Sequence, residues 1–508
     1  MKRNTFAKAL GLLGRFLLGI LIVVSLVALF SARWYIDTYG DLGFDSVLYT
    51  LLANTNGVQS GLLNAWADAV IPATLLFSVV VIGILFFKSR KKILLQVGKF
   101  RLRLFPFHGV VSALLCLALC AGLLTQAAQT VKLDKYIASL NQISTVYEEK
   151  YRDPATTEIT FPEQKRNLIY IYLESMETSY LSKEQGGVLE YNVIPELYAL
   201  AQANTNFSHN TDVGGFSVAP GASWTIGAMV AQTAGIPLRL PPNTGGNNYG
   251  QDGSFLPGVT NLSDILHQNG YYQVLMVGSD SEFGGRKQYY TLHNTDRIYD
   301  LFTAREDGLI APDYHAWWGF EDAYLFTYAQ QVLSDLAKQE QPFAFTMLTA
   351  DTHHIDGYFC QYCEKTYAEQ YENVISCSSK QVAAFVEWIQ QQEFYENTSV
   401  VIVGDHASMD NAYFQRVDAG DYSRHIYNCF INSAVTAKNT QNRWAYTYDM
   451  LPTTLAAMGC IIEGNRLGLG TNLFSSEPTL LEDSSGTIIS EIEKSSRYYT
   501  ENFFFAKS

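Results

Sequence analysis

Three stretches near the start of the chain are apolar on every side. They run roughly over 10–30, 70–87 and 110–127, each close to the ~20 residues that cross a hydrocarbon layer as a helix. None shows the polar stripe of a helix lying on a soluble core, so the pattern predicts three transmembrane helices within a region 1–128. From 129 to 160 polar and apolar residues mix (KLDKYIASLNQISTVYEEKYRDPATTE), which reads as a short helix followed by an extended linker. Beyond it, short apolar runs recur at Asn167–Leu173, Tyr272–Val277, Phe343–Thr349, Ser399–Val403 and Tyr427–Asn432. Helical periodicity lies between and after them, at Ser379–Gln391 and Asp449–Met458. Continuous apolar strands alternating with helices predict an α/β domain over 161–508, a doubly wound, mostly parallel sheet covered on both faces.

Charge sharpens this division. Residues 1–107 hold 12 Lys and Arg against 4 acids, which leaves 23 basic and 45 acidic residues of the totals of 35 and 49 for the remainder. A body that acidic repels phosphate backbones and disfavours nucleic acid as a partner. The segment 88–103 (KSRKKILLQVGKFRLR) carries seven basic residues and no acid, whereas the segment between the first two spans carries Asp37, Asp41, Asp45 and Asp68. The positive-inside rule therefore expects a multi-pass protein of the plasma membrane with its large domain outside the cytoplasm. Of seven cysteines, Cys116 and Cys120 fall in the third span and read as small apolar fillers. Cys360, Cys363, Cys377, Cys429 and Cys460 fall outside, where disulfides persist. Cys360-Gln-Tyr-Cys363 suggests a redox or zinc pair, but no second such pair accompanies it. The expectation is a staple from Cys360 or Cys363 to Cys377, its pairing otherwise open, with at least one outer cysteine left over.

In open parallel sheets, sites form beyond the carboxyl ends of the strands. Glu174 follows the first run; Asp280, Glu282 and Arg286 follow the second; Asp351, His353 and His354 the third; Asp405 and His406 the fourth. A carboxylate after a strand is commonly only a helix cap, but four groups at one end of one sheet point to chemistry. Gly214–Leu238 adds a glycine-rich approach to an apolar helix starting near Trp224 or Thr225, where a hydroxyl meets the positive helix end. Hard oxygens with one imidazole suit Mn²⁺ or Zn²⁺ better than Ca²⁺.

These blocks carry a resemblance. NLIYIYLESMETSY, WTIGAMVAQTAGIPL, TADTHHIDGY, VIVGDHASM and YTYDMLPTTLAAMG resemble, in order over roughly 161–475, the alkaline phosphatase/sulfatase superfamily. The branch they resemble is that of lipoteichoic-acid synthases and membrane phosphoglycerol transferases. The resemblance implies a nucleophile at Thr225, with Ser223 as the fallback, and metal ligands at Glu174, Asp405, His406 and Thr225 itself. It implies one divalent ion, Mn²⁺ first and Zn²⁺ or Mg²⁺ after it. His353 would protonate a leaving oxygen or orient the phosphate, Arg286 would clamp it, and Asp280 and His354 would help bind substrate. The donor implied is phosphatidylglycerol, and the acceptor a glycan or a glycerol-phosphate chain. The synthases set their threonine directly after a Gly-Lys pair and a Trp before the arginine; here Ser223 stands nearest the first place and Gly284-Gly285 near the second. The absence of a cysteine at the helix start argues against sulfatase chemistry. The competing readings are a phosphoethanolamine transferase, a phosphodiesterase or sulfuric-ester hydrolase, and a non-enzymatic protein that binds lipid headgroups.

Overall fold

The computed structural model describes residues 2–40, 42–52, 60–87, 92–105, 109–240, 254–484 and 486–505. The chain forms two compact units, one of 1–44 and 59–137, the other of 45–58 and 138–508.

The first unit holds the helices Lys2–Tyr39, Ser60–Phe86 and Gly109–Thr130. All three are long and apolar enough to cross a membrane, and they make this a membrane protein. Cys116 and Cys120 are buried among Ile22, Leu26 and Leu85 and act as fillers there. The basic segment contains a hairpin, Ile93–Val97 with Phe100–Phe105; its residues 88–91 lie outside the described residues.

The second unit is built on a seven-stranded sheet. Counted in chain order its strands are β1 Asn167–Leu173, β2 Gly215–Phe216, β3 Tyr272–Val277, β4 Arg297–Tyr299, β5 Phe343–Leu348, β6 Thr398–Gly404 and β7 Ile426–Ile431. Their spatial order is β2-β7-β6-β1-β5-β3-β4. The pairs from β6 to β4 are parallel, while β7 runs antiparallel to both β6 and β2. Along β1, Leu168, Tyr170 and Tyr172 enter one core and Ile169, Ile171 and Leu173 another. That period of two, with both faces apolar, is why the strand reads as one continuous run. The first core is closed by α1 Thr225–Ala234, α2 Arg286–Leu292 and, further on, the helix Met450–Ala457. The second is closed by α3 Asp322–Leu336 and α4 Gln370–Gln390.

Two boundaries differ from the sequence reading. The expected extended linker is instead largely part of the second unit from Ala138 onward. Val146, Tyr147 and Tyr151 are buried in its core, with Tyr147 against Tyr499 and Phe503, and Ile159–Thr160 pairs with Ile461–Ile462. Aromatic side chains that can reach a core do not stay on a tether. Residues 45–58, between the first two spans in sequence, also belong to this unit.

Candidate active site

Strands β1 and β6 lie side by side with Leu173 opposite Gly404, so Glu174 and Asp405 leave the sheet together. A Cβ on Gly404 would stand 2.0 Å from the Met176 carbonyl oxygen; only glycine admits the turn that crosses there. Ser175 sits in that turn at φ 57°, a left-handed conformation costing a serine about 1 kcal/mol or more. It is held by bonds into the site: its Oγ donates to Glu174 Oε1 at 2.8 Å and its N–H to Asp405 Oδ1 at 2.8 Å. The His406 N–H also donates to Asp405 Oδ1, at 2.7 Å. Asp405 Oδ2, though buried, has no hydrogen-bond partner. His406 Nδ1 lies 2.9 Å from the Ala407 carbonyl, which can only accept, so a proton is on Nδ1 and Nε2 is the ring nitrogen turned to the carboxylates. Nε2 is 3.3 Å from Asp405 Oδ2 and 3.5 Å from Glu174 Oε1.

Burial, with Glu174 beside it, pushes the Asp405 carboxyl up to about 7. Burial acts the same way on Glu174, but His353 and His406 outweigh it and hold that carboxyl below its usual value. His406 is displaced upward: burial opposes its charge and Asp405 and Glu174 more than compensate. Two buried carboxylates and one imidazole, with their donor atoms within 4.8 Å of one another, fit a divalent cation.

Thr225 begins α1. The approach to it turns at Gly221 (φ +81°), where a Cβ would lie 2.3 Å from the Leu238 carbonyl oxygen. Thr225 Oγ1 is 3.4 Å from Glu174 Oε2 and 3.5 Å from His406 Nε2. It opens on a cavity of about 30 Å³ lined also by Glu174, Ser279, Phe283, Arg286, Trp318, Thr349 and His353. Ser223 is not part of that lining. Arg286 is buried and oriented by three acceptors: Ser279 Oγ at 3.0 Å, the Asp280 carbonyl at 2.8 Å and the Phe283 carbonyl at 3.1 Å. Burial lowers its guanidinium to about 10, with Glu174 and Asp280 opposing that shift, so it stays charged at neutral pH. His353 Nδ1 donates to the His354 carbonyl at 2.8 Å, and its ring packs against Trp318 at 4.6 Å. Burial lowers its pKa.

The remaining sequence candidates stand behind the cavity. The Asp280 carboxylate accepts the Glu282 N–H at 2.9 Å and shapes the turn that carries Arg286. Glu282 pairs with Lys287 at the surface. His354 stacks on His353, ring centroids 4.2 Å apart. Asp351 exchanges hydrogen bonds with Asp322 across the loop after β5. Sequence reasoning missed Trp318, Ser279 and Phe283, and also Tyr49, whose hydroxyl donates to the Gly284 carbonyl at 2.6 Å and whose ring lies 5.3 Å from Trp224. Tyr49 lies more than 170 residues from either partner, and no local pattern marks it.

Residues 166–460 match the family model described as Sulfatase. Phosphoglycerol transferase I of Salmonella choleraesuis (strain SC-B67) is 28% identical over 489 residues, which cover 94% of this chain and 58% of that protein. Phosphoglycerol transferase I of Escherichia coli (strain 55989) is 29% identical over 488 residues, with the same coverage. The chain thus spans little more than half the length of the curated relatives it matches. Among solved structures, the integral membrane lipooligosaccharide phosphoethanolamine transferase A (EptA) of Neisseria meningitidis superposes with a TM-score of 0.51 at 13% identity, over 87% of this chain and 84% of that one.

Proposed function

The chain belongs to the sulfatase family, and on that premise we propose that it is a membrane-bound, metal-dependent phosphoglycerol transferase. The observation that carries the reading is the placement of Thr225 Oγ1 against Glu174 and His406 at a cavity shared with Arg286 and His353. The relatives' name supports the group transferred. The donor is phosphatidylglycerol, and the acceptor is a hydroxyl of a surface glycan or polymer outside the cytoplasm.

Glu174, Asp405 and His406, with Thr225 Oγ1, would hold one divalent ion, Mn²⁺ by preference, which acidifies a hydroxyl and offsets phosphate charge when bound. Thr225 Oγ attacks the phosphorus of the donor, and the bond from phosphorus to the diacylglycerol oxygen breaks. Phosphoglycerol remains on Thr225. His353 Nε2 takes the threonine proton and passes it to the departing diacylglycerol oxygen. In the second half-reaction an acceptor hydroxyl attacks the same phosphorus and gives its proton to His353, which returns it to Thr225 Oγ as the bond from phosphorus to that oxygen breaks. The Arg286 guanidinium, held by its three acceptors, meets the non-bridging oxygens without having to be reoriented.

The test uses the full-length protein in vesicles carrying headgroup-labelled phosphatidylglycerol or phosphatidylethanolamine. The expected result is diacylglycerol release from phosphatidylglycerol, with label transferred to an added glycan, abolished by chelator and restored best by Mn²⁺. Release from phosphatidylethanolamine alone would make the protein a phosphoethanolamine transferase. Label released only as free glycerol phosphate would make it a phosphodiesterase. No release from either lipid, or full activity in excess chelator, would overturn the reading altogether.

A further inference from the structure

Three thiols gather behind the loop that carries His353. Cys360 and Cys363 lie between β5 and α4, and Cys377 lies on α4. Cys360 Sγ is 3.8 Å from Cys377 Sγ and 3.6 Å from Cys363 Sγ, and all three sulfurs lie within 4.8 Å of one another. A disulfide holds two sulfurs at about 2.05 Å and has no use for a third. Thiolates around one tetrahedral zinc, each at about 2.3 Å from the metal, stand roughly 3.8 Å apart. The spacing in this cluster suits three ligands of one ion. Cys360 and Cys377 are buried, at 3% and 4% exposure, and Cys363 is half-buried. The side-chain amide of Gln381, one turn along α4, donates to Cys377 Sγ at 3.4 Å and reaches Cys360 Sγ at 3.9 Å. Amide N–H groups directed at sulfur stabilise thiolate charge, as the outer partners of metal ligands do.

We propose that Cys360, Cys363 and Cys377 bind a zinc ion as thiolates, at a second metal site separate from Glu174, Asp405 and His406. Each thiol gives up its proton as the metal enters. The fourth position goes to water, from the side where Cys363 meets solvent. Three soft sulfurs select zinc over the ions that suit two carboxylates and an imidazole, so the two sites need not compete for one metal. The zinc clamps the loop after β5 to α4. That helix also carries Tyr371, whose hydroxyl donates to the Thr352 carbonyl at 2.9 Å and bonds Ser408 Oγ at 2.7 Å. The clamp therefore steadies the loops that present His353 and His406.

The full chain, purified without reductant, is stripped of metal and reloaded with Co²⁺. Wild type and Glu174→Gln should both show the intense near-ultraviolet sulfur-to-cobalt charge-transfer band, which an oxygen and imidazole site cannot give; Cys377→Ser should lose it. With zinc in place of cobalt, Cys363→Ser and Cys377→Ser should each lose one equivalent of bound metal relative to wild type. The wild-type spectrum needs no variant to fold, so absence of the band there overturns the proposal. Alkylation of the denatured, unreduced wild type should modify all seven cysteines. Modification of only five, with Cys360 or Cys363 joined to Cys377, would establish a disulfide and overturn it as well.

Discussion

Thr225 and Ser223 offer the same hydroxyl two residues apart, and the backbone separates them. Trp224, at the N-cap of α1, is extended. Thr225 then opens the helix with Oγ1 toward Glu174 and His406, while Ser223 stays in the preceding turn. Thr225→Ala should lower turnover by about three powers of ten or more, since no covalent intermediate can form, yet metal should still bind to the remaining three ligands. Thr225→Ser should keep measurable activity, and Ser223→Ala should stay within a few-fold of wild type. Enzyme quenched during turnover should carry one phosphoglycerol on the peptide containing Thr225. A dead Ser223→Ala beside an active Thr225→Ala would move the nucleophile by two residues. The placement of Glu174 and Asp405 was legible in the sequence because each directly follows an apolar strand, with His406 next to Asp405, and chain direction fixes which end of the sheet they occupy. Asp280 was not legible in the same way. It lies in a turn, where no period sets side-chain direction, and its carboxylate serves the backbone instead.

At the scale of elements, the five longer strands of the sheet stood out as apolar runs because both their faces are buried. The antiparallel course of β7 left no such mark, since a doubly buried strand looks the same in either direction. The start of α4 was also hidden. Periodicity suggested a helix from Ser379, but the helix begins at Gln370 and buries Glu372, Asn373, Ser376 and Ser378 in its first turns. Asn373 accepts the N–H groups of Thr366 and Tyr367, and Glu372 accepts the hydroxyls of Tyr191 and Tyr413. Polar residues paired within the interior erase the apolar stripe. Another such contact lies at the start of β7, where His425 stacks on His209 with ring centroids 3.7 Å apart. Burial, reinforced by His209, lowers His425 to about 4. An unfolded histidine titrates near ~6.5, so between these values the unfolded chain binds a proton that the folded chain refuses. The stabilisation is complete above about 6.5 and is lost as pH falls through about 4, on the order of 3 kcal/mol in all. Unfolding free energy of the wild type should therefore fall more steeply between pH 6.5 and 4.5 than that of His425→Gln, measured by urea denaturation in detergent. Parallel slopes would remove His425 as the cause.

Across the whole molecule the clearest signal was the division between a basic, apolar front and an acidic body; the exact boundary was less visible. Residues 138–160 join the catalytic unit through tyrosines that, in sequence, look no different from those of a tether. Residues 45–58 join it through a helix too short to announce itself. Orientation follows from charge rather than from packing. Lysine and arginine near the ends of spans are retained on the cytoplasmic side, and the transfer to surface acceptors proposed above would need the site on the other side. On the orientation that the charges predict, with the N-terminus inside, three spans would release the second unit outside the cytoplasm and leave the hairpin of 93–105 within. Two exposed positions report on this, Ser476 beyond the sheet and Lys99 at the hairpin turn. In a Cys363→Ser background, which removes the part-exposed native thiol, a membrane-impermeant maleimide should label Ser476→Cys in intact cells. Lys99→Cys should label only after the membrane is permeabilised. The reverse pattern would place the acidic unit in the cytoplasm, and a donor lipid in the outer leaflet could then not reach Thr225. Labelling of both positions in intact cells would mean an even number of spans between them, and the span from 109 to 130 would have to lie along the membrane surface instead of crossing it.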